Sequence, residues 1–161
     1  MQGTFSARLL LAAAMAAGYC VPTIASDSCG QPFQTTRNVT MANGVNIGTF
    51  SFTVPEGKRL LIEHLSMVAY VPTKSGQNVT GEVITETGGQ RASHHLGAAV
   101  NVGPRPTATP TTDALLLSQP VRAYADPKTL VGFGVSRTVS TSGAVSLFVT
   151  LSGRYLSTCD E

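Results

Sequence analysis

The sequence predicts an all-β protein, an antiparallel β-sandwich of jelly-roll-like type with about seven or eight strands. Three observations lead there. Only 12% of the 161 residues are charged while Thr, Ser, Val and Gly abound, a composition that favours strands and turns over solvent-facing helices. Apolar and polar residues alternate over short runs, the period of a half-buried strand. Clusters of Gly, Pro, Asn and Asp interrupt those runs roughly every 8–15 residues, as in a sandwich or barrel.

The first 25 residues stand apart from this pattern. MQGTFSAR carries one positive charge, LLLAAAMAAG is continuously apolar, and CVPTIAS leads to a small residue at Ala25. That order is the n-, h- and c-region order of a secretory signal peptide over residues 1–25. The apolar stretch is short for a membrane span, which needs about 20 residues. Lipidation at Cys20 is disfavoured by the bulky Tyr19 before it. The expected mature chain, residues 26–161, is one domain exported to the periplasm or the medium, with no membrane span left after leader removal. Cys29 and Cys159 are then its two cysteines. An isolated pair near the termini of an exported chain reads as one disulfide, with free thiols or intermolecular pairing as alternatives. Closing so long a loop restricts the unfolded chain by about 4–5 kcal/mol in the entropy model.

Along the mature chain, residues 26–45 are polar and turn-rich, with one short strand expected over Arg37–Met41. In NIGTFSFTVPEGK, Phe50, Phe52 and Val54 share one face, and Pro55-Glu56-Gly57 is a turn. RLLIEHLSMVAY has apolar residues at both helical and strand spacing; its flanking Pro-Glu-Gly and Pro72 favour a long strand, with a helix as the alternative. NVTGEVITE, the turn TGGQ and RASHHLGAAVNV continue the rhythm. NVGPRPTATPTT, residues 101–112, reads as a loop because proline deletes ladder donors. DALLLSQPVRAYA is strand-like, with Pro120 marking an edge, bulge or bend, and Asp126-Pro127-Lys128 is a turn. TLVGFGVSRTV and AVSLFVTLSGRYL are the last two strands.

The absence of Trp excludes an immunoglobulin domain in its usual form, and the wide separation of the two cysteines agrees. Phe52-Thr53-Val54-Pro55-Glu56-Gly57-Lys58-Arg59-Leu60-Leu61-Ile62-Glu63 and Pro120-Val121-Arg122-Ala123-Tyr124-Ala125-Asp126-Pro127 resemble segments of small exported bacterial β-sandwich proteins that are uncharacterised. That resemblance implies no activity.

Candidate chemistry is sparse. A net charge of +2, with Lys and Arg scattered, argues against a nucleic-acid partner. The histidines are His64, His94 and His95. Successive strand residues point to opposite faces, so His94 and His95 cannot share a metal without a bulge, and no metal site or other cofactor is implied. No G-x-S-x-G elbow marks a nucleophile. Glu63, Glu82, Glu86, Asp113 and Asp126 could supply paired carboxylates, but spacing does not pair them. Glu63 and His64 are expected on opposite faces of one strand, with Glu63 paired to Arg91, Arg122 or Arg137, or else exposed at a sheet edge. The sequons at Asn38 and Asn78 carry little weight in a Thr-rich chain.

The expected function is therefore recognition of a protein or carbohydrate ligand, or a structural role in the envelope or outside the cell, without catalysis. The alternative is a small secreted hydrolase. Convergence of three or more of Glu63, His64, His94, His95, Asp113 and Asp126 within about 8 Å in one concave pocket with room for a substrate would favour the hydrolase, and scatter over separate faces the binding module.

Overall fold

A computed structural model of the chain describes residues 30–105, 112–138 and 143–156. The expected leader, Cys29 and Cys159 lie outside the described residues. Nine strands and no helix are present among them: β1 (Gln31–Met41), β2 (Ile47–Thr53), β3 (Arg59–Pro72), β4 (Val79–Thr87), β5 (Gln90–His95), β6 (Val100–Pro104), β7 (Thr112–Ala125), β8 (Leu130–Arg137) and β9 (Val145–Leu156).

The strands form two antiparallel sheets, one ordered β1-β9-β3-β7-β6 and the other β2-β8-β4-β5. Without β6, the orders β1-β9-β3-β7 and β2-β8-β4-β5 are those of a jelly roll, in which the chain passes back and forth between the sheets. The expected architecture holds, with nine strands where seven or eight were expected. The extra strand is β6, which falls where residues 101–112 were read as a loop. It survives its glycine and proline because it is short, at the sheet edge, and its register against β7 shifts between Asn101 and Gly103. β1 begins six residues before the expected Arg37, because most of its side chains face solvent and leave no alternation to read.

The core lies between the sheets. β2 contributes Phe50 and Phe52, β4 Val79 and Val83, β8 Val131, Phe133 and Val135, and β9 Val145, Leu147, Val149 and Leu151. Fully burying one such side chain stabilises by roughly 1.5–3 kcal/mol. Turn chemistry matches the reading from sequence. Gly88 and Gly89 both have positive φ (58° and 71°) and join β4 to β5 in a two-residue hairpin. Gly57 (φ 69°) completes the turn closed by the Lys58 amide donating to the Pro55 carbonyl.

β3 is the long strand expected, but it is not regular. Its register shifts between Ile62 and His64 against both β7 and β9. Leu60 and Ile62 face the core before the shift, and Leu65, Met67, Ala69 and Val71 after it, so the inward parity changes across Glu63-His64. Against β9, Glu63 is the extra residue, since Ile62 pairs with Gly153 and His64 with Ser152. Gly153 makes room for it: a Cβ there would clash with the Leu61 carbonyl and lie 3.0 Å from the Ile62 Cα. On the other side His64 faces Pro120, which has no N–H to offer a ladder and sits where the ladder breaks.

Candidate functional site

The bulge determines what the outer face of the five-stranded sheet presents. A regular strand would send Glu63 and His64 to opposite faces. With one residue inserted, neither enters the core: Glu63 is exposed, and His64 is half-buried with Nε2 3.0 Å from Ser118 Oγ on β7. The expected separation of the two is therefore overturned. The expected partner of Glu63 is also corrected. None of Arg91, Arg122 and Arg137 pairs with it; the guanidinium beside it belongs to Arg154 of β9, with Nε 3.8 Å from Glu63 Oε1 and both side chains about half exposed.

Glu63, Leu61, Val121, Arg122 and Arg154 line a shallow depression of about 390 Å³ at the bulge. Leu61 pairs with Arg154 on one side and Tyr124 on the other, so one row of the sheet carries an arginine, an apolar floor and an aromatic ring. Arg122 donates from Nε to the Tyr124 hydroxyl at 3.1 Å. Arg59 lies nearby over the Tyr124 ring, but its Nε is 3.2 Å from Asp126 Oδ1, which neutralises it. Beyond the depression, register aligns Gln34, Ser152, His64 and Pro120 across the sheet, then Thr36, Thr150, Ser66 and Ser118. Next comes a row that starts at Asn38 and is otherwise apolar, with Phe148, Val68, Leu116 and Val100, of which Phe148, Leu116 and Val100 are exposed.

The outer face of the four-stranded sheet offers a second concavity. Gly132 and Gly134 of β8 leave a trough flanked by Thr49 and Ser51 of β2 and by Glu82 and Ile84 of β4. Ser93 Oγ donates to Glu82 Oε2 at 2.6 Å, and His95 Nδ1 is 3.9 Å from the same oxygen. Serine and histidine both address the carboxylate and not each other, the reverse of a nucleophile activated by an imidazole base.

The remaining candidates are dispersed. His94 turns to the other face of β5, with Nε2 3.2 Å from Thr85 Oγ1. Asp113 accepts from the Lys74 amide at 3.3 Å, and Asp126 accepts from the Gly88 amide while pairing with Arg59. Glu86 stands opposite Arg91 at the far end of β4. No group of three or more His, Cys, Asp or Glu residues suited to a metal gathers among the described residues.

Arg137 was read as a possible partner for Glu63 and proves to be something else. It is buried at the opposite end of the sandwich, donating to the carbonyls of Ala42 (2.7 Å), Val45 (2.7 Å) and Gly143 (2.6 Å). Its signal in the sequence was slight: an arginine at an inward position of an alternating strand, GFGVSR, whose other inward residues are apolar.

No protein-family model matches the chain, and no curated protein matches it. Among solved structures, dimeric latent PorU from Porphyromonas gingivalis is similar in fold. The TM-score is 0.50 at 8% identity over 80% of this chain. The match spans 13% of that chain.

Proposed function

We propose that the protein is an exported, non-enzymatic β-sandwich that acts by surface recognition. The observation that carries the reading is dispersal: Glu63 and His64, His94, His95, Asp113 and Asp126 occupy separate faces and ends of the sandwich. A hydrolase needs its acid, base or nucleophile within hydrogen-bond reach of one reacting bond. The broad, shallow concavities on both outer faces suit a bound chain better than an enclosed small substrate.

Export rests on the leader-like residues 1–25, and a Cys29–Cys159 disulfide accords with it. β1 and β9 pair so that Gln31 stands opposite Tyr155, which brings the described ends of the chain side by side. Mass spectrometry of the secreted protein under non-reducing conditions tests both claims. A start near residue 26 with no alkylatable thiol is expected; two free thiols exclude the disulfide.

Immobilised protein incubated with envelope and extracellular fractions is expected to retain a specific component and to release it chemically unchanged. Cleavage of the retained material would overturn the reading in favour of the hydrolase.

A further inference from the structure

The depression at the β3 bulge has the makings of a defined subsite, and this inference rests on the recognition reading above. Its two cations come from the strands on either side of β3, Arg154 from β9 and Arg122 from β7. Neighbouring strands lie about 4.8 Å apart, so the two backbones stand roughly 10 Å from each other, a span two arginine side chains can close on one small anion. Neither guanidinium is hydrogen-bonded to a carboxylate among the described residues. Arg154 meets Glu63 only at 3.8 Å, beyond a charge-assisted hydrogen bond, and both groups are half exposed. Arg122 spends its Nε–H on Tyr124, which leaves both terminal amino groups for a planar acceptor, and it has no carboxylate partner among the described residues. Arg59 differs, being already neutralised by Asp126.

The floor and the surroundings narrow the ligand. Leu61 is buried beneath the pair and Val121 is half-buried, so an anion held there is less screened than on open surface. The group already resting against Arg154 is a carboxylate. The adjoining rows offer neutral hydrogen-bonding side chains, Gln34, Ser152 and His64, then Thr36, Thr150, Ser66 and Ser118. A ligand that carries a carboxylate on a chain of hydroxyl-bearing units satisfies both features. A nucleic acid would want a broad cationic surface along its backbone, whereas the chain carries a net charge of only +2 with Lys and Arg scattered.

We propose that the depression between Arg122 and Arg154 binds a carboxylate of an acidic oligosaccharide lying across the hydroxyl rows, with Glu63 as a resident counter-ion that the ligand displaces.

Calorimetric titration of the purified protein with a galacturonate hexamer tests this, with the methyl-esterified hexamer and free galacturonate as separate arms. The acidic hexamer is expected to bind at least about tenfold more tightly than the ester, a difference of one hydrogen-bonded charge. Free galacturonate is expected to bind more weakly than the hexamer, since it cannot reach the hydroxyl rows. Arg122→Gln and Arg154→Gln should each weaken hexamer binding by about tenfold, and Arg122→Lys should recover only part of it. Glu63→Gln should tighten binding by roughly threefold, because the competing charge is gone. Melting curves confirm that each variant is folded. Equal binding of acid and ester, no binding of the hexamer, or weaker binding by Glu63→Gln overturns the proposal. If the hexamer fails while the protein still retains an envelope or extracellular component, the subsite falls and the recognition reading stands; if nothing is retained either, both fall.

Discussion

Arginines mark both ends of this sandwich, and their surroundings are opposite. At one end Arg137 is buried, and its guanidinium donates to backbone carbonyls of the segments that follow β1 and precede β9. At the other end Arg122 and Arg154 stand over a half-open depression, one tethered to a phenol and the other loosely facing a carboxylate. The contrast separates a charge used to build the protein from charges left available to a ligand. Burial without hydrogen-bond partners would be prohibitive, so Arg137 is held by three short bonds to carbonyls. Half exposure removes that requirement, so the pair at the bulge can remain under-coordinated at little cost to the fold.

The largest expected effect is at the buried end. Arg137→Lys keeps the charge but replaces a five-donor fork with a single ammonium, which cannot reach all the carbonyls. Urea denaturation should show a loss of about 2–3 kcal/mol. A loss below about 0.5 kcal/mol would mean that the carbonyls are satisfied in other ways.

Next in size is Gly153→Ala, which tests the bulge. The added methyl would press against the Leu61 carbonyl, and the cost should be roughly 1–3 kcal/mol through strain or loss of the bulge. A neutral Gly153→Ala would show that β3 does not depend on this close approach.

A smaller effect is expected at Tyr155, near the bulge end. Burial pushes its phenol above the usual 10.0. The folded state therefore holds the proton more tightly than the unfolded chain, so this contribution is intact below pH 10 and is lost as pH rises through the folded-state value. Tyr155→Phe should flatten that alkaline decline, read as melting temperature against pH. The smallest change belongs to Glu63→Gln, whose exposed pair with Arg154 contributes less than about 1 kcal/mol, so its melting temperature should stay near that of the parent.

Much of the fold is legible in the sequence, and what is not legible has physical causes. β2 declared itself because Phe50 and Phe52 point inward while Thr49 and Ser51 point out. β1 and β6 were shortened or missed because edge strands need only one set of partners and tolerate polar residues, Gly and Pro. The bulge left a trace in the apolar pattern, where Leu60 and Ile62 are followed by Leu65 and Met67 at the opposite parity. That trace gained meaning only from Gly153, some ninety positions on, because register belongs to pairs of strands and not to one. The site was illegible for the same reason. Arg154 and Arg122 are brought beside Glu63 by strand order, which no local spacing encodes. Arg137 was visible as an arginine on an inward face, but its carbonyl partners lie in turns that carry no charge to betray them.

The most direct test of the division between a structural and an available charge is the melting of Arg137→Gln and Arg154→Gln side by side. A fall of roughly 10 °C is expected for Arg137→Gln, as about 3 kcal/mol implies for a chain of this size, and a change within about 2 °C for Arg154→Gln. Equal falls in both variants, or a larger fall for Arg154→Gln, would contradict that division.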